Sequence, residues 1–237
     1  MMKILTIDLE YDYESNNFES MKILPKLLDI LDDYGAEATF FVQANLAEKY
    51  ETAINLIKRK HEIASHSYSH KNLKAIDDNE LEYEIRKSKE ILGKNCIGFR
   101  APYFITNKNM FSLLEKYGYL YDSSISSFFP GRYCHLLTKS KPYKFNNLIE
   151  LPVPNYIFKL LPAGLSYYRL FYPLSKLFHL PYMIYAHPCE FVKPPASTNI
   201  NYFIKKLYTF RTGDQAFNIF EEILSRADKW VSCKTYL

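Results

Sequence analysis

An α/β domain built on a parallel sheet, open or closed into a barrel, is the fold class this chain predicts, and three observations carry it. Short apolar runs alternate with amphipathic helical stretches along nearly the whole length. Polar clusters fall at the carboxyl ends of those runs, where such sheets place their working residues. With 237 residues, 48% of them hydrophobic, there is material for one sizeable core, and neither an internal repeat nor a low-complexity linker divides it.

The elements follow in order. Residues 3–7 read as a first strand that runs into Asp8-Leu9-Glu10-Tyr11-Asp12. A helix over 21–34 carries Pro25 near its first turn and stops at Gly35. The strand over 38–42 is followed by a helix over 46–60, with Ala53, Leu56 and Ile57 apolar. A brief strand over 62–65 ends in His66-Ser67-Tyr68-Ser69-His70. The helix over 77–92 opens on a capping-box pattern, Asp77 with Glu80, and aligns Leu81, Ile85 and Leu92 on one face. Strands over 97–99, 119–121, 149–153 and 183–186, and a helix near 108–117, continue the series to about seven strands. The last helix spans 214–229, with Trp230 at its end. One domain covers 1–237, with the Pro-, Tyr-, Phe- and Leu-rich segment 152–182 as an elaboration packed onto it.

Composition removes several classes. The apolar content excludes disorder, and 7 Gly with 12 Pro exclude collagen-like character. The longest apolar stretch, 170–186, is broken by Pro173, Lys176, His179 and Pro181 and cannot span a bilayer. The opening residues lack a signal-peptide pattern, and Cys96, Cys134, Cys189 and Cys233 form no Cys-x-x-Cys pair. A cytoplasmic protein with reduced thiols is therefore the expectation. Charge is unevenly spread, with 14 Lys/Arg against 18 Asp/Glu in residues 1–100 and 16 against 8 in 101–237. That basic back half suits an anionic or surface-bound partner but is too sparse for nucleic acid.

Five local patterns bear chemistry, each with a bland alternative. His66 and His70 stand four apart after a strand, and Asp8, Glu10 and Asp12 end the first strand. Two histidines and a carboxylate are the ligand set of a catalytic divalent metal with open positions; a solvated pair and an acidic turn are the alternative. Arg100, in Phe99-Arg100-Ala101-Pro102-Tyr103, is a fixed cation able to orient a carboxylate, or a surface arginine before a turn. Asp122 in Tyr121-Asp122-Ser123-Ser124 either caps the next segment or orients a histidine. His187 ends an apolar strand and is placed for acid or base work, with a structural histidine as the alternative.

Taken in order, Thr-x-Asp, Glu-Ile-x-x-His-Ser-x-x-His, Phe-Arg-x-Pro-Tyr, Tyr-Asp-Ser-Ser and a strand ending on His resemble the polysaccharide deacetylase family, the NodB-homology carbohydrate esterases. Glu150-Leu151-Pro152-Val153, Leu161-Pro162-Ala163-Gly164 and His187-Pro188-x-Glu190 are similar to a subgroup associated with exopolysaccharide loci. The resemblance implies a distorted (β/α) barrel and a divalent metal, zinc foremost, with cobalt, nickel, iron or manganese as alternatives. It implies His66, His70 and Glu10 as ligands, with Asp12 competing for the carboxylate position. It implies Asp8 as general base held by Arg100, the Tyr103 backbone N–H as oxyanion donor, and His187 as general acid with Asp122 near it. The family normally adds a Trp there, and the one Trp of this chain is Trp230. Phe128 or Phe129 is the expected lining of an acetyl pocket.

The expected activity is removal of an N-acetyl group from a saccharide. The alternatives are a hydrolase of cyclic amides or ureides on the same barrel, a 2-His-1-carboxylate iron oxygenase, and a glycan-binding relative without turnover. The aromatic cluster Tyr156, Phe158, Tyr167, Tyr168, Phe171, Tyr172, Phe178 and Tyr182 is core filler, a sugar-stacking platform or a patch for the inner membrane face.

Overall fold

The computed structural model describes residues 2–12, 18–126, 139–156, 161–193, 207 and 209–237. In chain order the strands are β1 (Met2–Leu9), β2 (Thr39–Val42), β3 (Glu62–Ser65), β4 (Gly98–Phe99), β5 (Tyr121–Asp122), β6 (Tyr143–Phe145), β7 (Leu148–Glu150), β8 (Asn155–Tyr156), β9 (Leu161–Pro162), β10 (Met183–Ala186) and β11 (Lys229–Val231). The helices are α1 (Leu24–Asp33), α2 (Ala44–Lys49), α3 (Glu51–Ile57), α4 (Asp78–Leu92), α5 (Met110–Lys116), α6 (Leu165–Phe171), α7 (Asp214–Ser225) and α8 (Cys233–Tyr236).

The main sheet runs β10-β1-β2-β3-β4-β5-β7-β6, with β11 added to the start of β1. Every pairing in it is parallel except β6 with β7, so the sheet is a half-barrel of parallel strands closed by one antiparallel edge. β1 is buried along all but its first residue, as a central parallel strand covered on both faces must be.

Strand parity sorts the side chains. Leu5, Ile7, Leu9, Phe40, Val42, Ile63, Phe99, Ile184 and Ala186 pack outward into the large core beneath the helices. Ile4, Phe41, Ala64, Tyr121, Met183 and Tyr185 form a second cluster on the concave face. Because the side-chain period of a strand is two, the residues two beyond these concave positions continue on that face. Asp8, Glu10, His66, Arg100 and His187 all have that parity, at the carboxyl ends of their strands.

Several local expectations are met. Pro25 occupies the first turn of α1, and Asp77 caps α4 by accepting the Glu80 backbone N–H at 2.9 Å. Gly98 has no substitute, because a Cβ there would lie 1.9 Å from the Tyr121 ring.

Others are corrected. The helix expected over 46–60 is two helices, since Tyr50 leaves helical geometry (φ −123°, ψ 45°) while its ring packs against Phe18. The last helix ends at Ser225, and Trp230 lies on β11, paired with Lys3. Its ring is buried and Nε1 donates to the Leu224 carbonyl at 2.8 Å, so the chain reverses there instead of extending the helix. The aromatic cluster is partly core. Tyr156 and Tyr168 are 3% and 1% exposed and stack on each other at 4.1 Å, which leaves neither ring a face for a sugar. Phe158 lies outside the described residues. No described helix is long and apolar enough to cross a membrane.

Candidate active site

β1 delivers two carboxylates two residues apart to the concave face, and they meet different partners. Arg100 donates from Nη1 to Asp8 Oδ1 at 2.6 Å and to Thr6 Oγ1 at 2.9 Å. Its Nε and Nη2 donate to Ser123 O and Oγ at 3.1 and 2.9 Å, and its plane lies 4.0 Å over the Phe41 ring. Arg100 is fully buried and Asp8 1% exposed, so this is a fixed ion pair rather than a surface contact.

Glu10 reaches between the two histidines. Its Oε2 lies 3.0 Å from His66 Nε2 and 2.5 Å from His70 Nε2. Burial alone would raise the Glu10 carboxyl, but the charge of His70, the close approach of both imidazoles and the charge of His187 hold it well below the usual range. Asp12, the competing carboxylate, turns away and accepts the Ser20 backbone N–H at 3.0 Å.

The histidine loop is shaped by local devices. His66 Nδ1 faces the Arg100 carbonyl at 2.8 Å, which keeps the proton on Nδ1 and leaves the Nε2 lone pair toward Glu10. Ser67 and His70 both adopt left-handed backbone, at φ 59° and 62°. Glu84 of α4 holds this turn: Oε2 accepts the Tyr68 and Ser69 N–H groups at 3.0 and 2.8 Å, and Oε1 accepts the Ser69 hydroxyl. Glu84 went unremarked in the sequence, although its place three residues after Leu81 sets a carboxylate on the buried face of a helix.

Glu10, His66 and His70 offer ligand atoms that all lie within 4.8 Å of one another. The donor set is two imidazole nitrogens and a carboxylate oxygen, and His70 Nε2 is buried without an aligned hydrogen bond despite the near carboxylate. Those features fit a divalent cation.

His187 stands across the concave face, 23% exposed, with Nε2 3.8 Å from both Asp8 Oδ2 and Glu10 Oε1. Burial opposes its charge, yet the hydrogen bond to Glu190 and the charges of Glu10 and Asp8 together raise its pKa to about 9.

Asp122 has another place. Tyr121 faces the concave cluster, so Asp122 next to it points to the opposite face. There it accepts the Ser124 N–H and hydroxyl at 2.9 and 2.7 Å, and Ser124 Oγ accepts the Ala101 N–H at 2.7 Å. The capping alternative describes this geometry, and the carboxylate beside His187 is Glu190. Burial and the charge of Asp122 push the neighbouring Glu150 well above its usual range. Through Ser124, Asp122 supports the turn that bears Tyr103, whose backbone is left-handed (φ 58°, ψ 12°) and whose ring packs on His70 at 4.6 Å. Trp230 sits at the amino end of the sheet, away from His187. Phe128 and Phe129 lie outside the described residues.

Residues 4–121 match the family model described as polysaccharide deacetylase. The chain belongs to that family. The matched span holds Asp8, Glu10, His66, His70, Arg100 and Tyr103, and stops one residue before Asp122. The chain is 31% identical over 122 residues to a peptidoglycan deacetylase-like protein of Gibberella zeae, covering 48% of this chain and 36% of that protein. It is 37% identical over 86 residues to a peptidoglycan-N-acetylglucosamine deacetylase of Bacillus cereus, covering 36% and 30%. It thus spans about a third of the length of these curated relatives. A solved CE4 family pseudoenzyme from Bacillus anthracis superposes over 99% of this chain and 64% of its own, with a TM-score of 0.58 and 13% identity. At that identity the likeness is one of fold.

Proposed function

We propose that this polysaccharide deacetylase family member is a metal-dependent hydrolase that removes the N-acetyl group of a saccharide. The observation that carries the reading is the convergence of Glu10, His66 and His70 with a buried Asp8–Arg100 pair and His187 on one concave face. A glycan-binding module has no use for that set, and an oxygenase has none for Asp8 and His187. The names of the relatives support an acetylated amino sugar within a polymer as the substrate class.

Glu10, His66 and His70 would hold a divalent ion, which would supply Lewis-acid polarisation of the acetamide carbonyl and of a water. Arg100 engages Asp8 Oδ1 and leaves Oδ2 toward the cleft, where Asp8 takes the proton of the attacking water. The Tyr103 backbone N–H, presented by its left-handed turn beside His70, steadies the developing oxyanion. His187, whose protonated form Glu190 and Asp8 favour, delivers a proton from Nε2 to the leaving amine, the poor leaving group that makes amide cleavage slow.

The test is metal content together with acetate release from a panel of N-acetylated sugars and glycans, with His66→Ala beside the wild type. Loss of both metal and acetate release in His66→Ala is expected. Retained metal and activity would overturn the site, and tight metal binding with no acetate from any sugar would overturn the reaction.

A further inference from the structure

His187 has its own carboxylate, and it comes from the turn that immediately follows the histidine. Glu190 Oε1 accepts the His187 backbone N–H at 3.0 Å and lies 3.4 Å from ring Nδ1. Its second oxygen faces Arg169 of α6, which donates from Nε at 3.0 Å and Nη2 at 2.9 Å. Arg169 is fully buried and Glu190 3% exposed. The rest of the guanidinium is satisfied by the carbonyls of Phe210 and Leu207, and Arg211 Nη1 donates to the Arg169 carbonyl at 2.9 Å. Gly213 N–H donates to the Glu190 carbonyl at 3.2 Å, which anchors the turn on the start of α7.

A buried ion pair is an inefficient way to stabilise a fold, because two apolar side chains of like volume usually serve as well. What a pair of this kind supplies is direction. A carboxylate at Nδ1 keeps a proton on that nitrogen and turns Nε2 the other way. Here the other way is the reacting face, where Nε2 lies 3.8 Å from Asp8 and from Glu10. Among the described residues those two and Glu190 are the carboxylates within 4 Å of the ring nitrogens, while Asp122 is committed to Ser124. The 3.4 Å separation is long for a hydrogen bond, as such contacts often are before substrate arrives.

We propose that Glu190, held by Arg169, is the positioning residue of His187, fixing the Nδ1–H form of the ring and aiming Nε2 at the substrate. This rests on the deacetylase reading for the acid role of His187, whereas the orientation of the ring is a property of the resting protein. Glu190 thereby fills the place of Asp122 with a residue three positions along the same turn.

Three readouts test it: kcat and KM for acetate release, thermal midpoint with metal content, and the ring tautomer of His187 by 15N NMR where the ring is neutral. Glu190→Gln is expected to lower kcat about 10²-fold with KM within about twofold and metal content unchanged. The double variant Arg169→Met/Glu190→Met removes the pair without stranding a buried charge. It also loses the bonds to the Phe210 and Leu207 carbonyls and the His187 N–H, so it should stay folded with a lowered thermal midpoint, lose the single Nδ1–H tautomer and remain as slow as Glu190→Gln. Wild-type kcat in the folded double variant, or an unchanged tautomer, overturns the proposal. Should the wild type release no acetate from any sugar, the deacetylase reading falls and the tautomer alone decides the positioning.

Discussion

Asp8 and Arg100 stand 92 residues apart in the chain, yet their side chains are joined by a 2.6 Å ion pair that solvent does not reach. The arginine's other donors go to Thr6, Ser123 and the Met183 sulfur, so it orients one oxygen of Asp8 and leaves the other for chemistry. Arg100→Met strands a buried carboxylate and is expected to cost about 3–5 kcal/mol of stability. Arg100→Lys keeps the charge but loses the fork, and should lower acetate release at least tenfold with a smaller loss in denaturant midpoint. Equal activity in Arg100→Lys would remove the orienting role.

The pKa of His187 has a consequence for pH. It is raised from 6.5 to about 9, with burial opposing and Glu190, Glu10 and Asp8 prevailing. In the metal-free protein the protonated acid is therefore present through neutrality; a cation held by Glu10 offsets one of the charges that raise it, so kcat should fall with rising pH at a midpoint below about 9. The stability sign is the same: a raised folded-state value contributes fully below 6.5 and is lost as pH passes about 9. His187→Gln should flatten the stability profile of the metal-free protein over that window, read by urea unfolding at several pH values.

Glu84 touches neither histidine ring, but it satisfies two backbone N–H groups of the turn between them. Glu84→Ala leaves both part-buried donors without a carboxylate, at a combined cost of about 1–3 kcal/mol. Because the turn sets the spacing of His66 and His70, metal affinity should fall about 10–100-fold. Competition with a metal-binding dye measures this; unchanged affinity would mean the turn holds its shape without Glu84.

Gly98→Ala places a methyl into the ring of Tyr121, which is fully buried and bonded to Glu62 at 3.0 Å. The ring cannot swing aside without breaking that bond. A loss of about 1–3 kcal/mol in chemical denaturation is expected, and a wild-type midpoint would show that β5 yields.

Much of the fold was legible locally. The apolar runs that became β1, β2, β3 and β10 are short, nearly continuous and end on polar clusters, and a parallel strand buried on both faces needs that pattern. The cap at Asp77 and the stop at Gly35 were readable because a helix end is governed by its nearest residues. Trp230 was not, since its place on β11 depends on pairing with Lys3 at the other end of the chain.

For the site, sequence alone determined which residues stand at strand ends: Asp8, Glu10, His66, Arg100, Asp122 and His187. Only the tertiary structure decided how they are partnered. Spacing could not show that Asp122 faces outward, because a two-residue strand has no visible alternation and its neighbour Tyr121 claims the inner face. Nor could it show that Arg169 meets Glu190 or that Glu84 meets the histidine loop, since a buried charge is placed by whichever distant element can satisfy it. Period and capping act within one element, and the partners of buried charges are settled between elements.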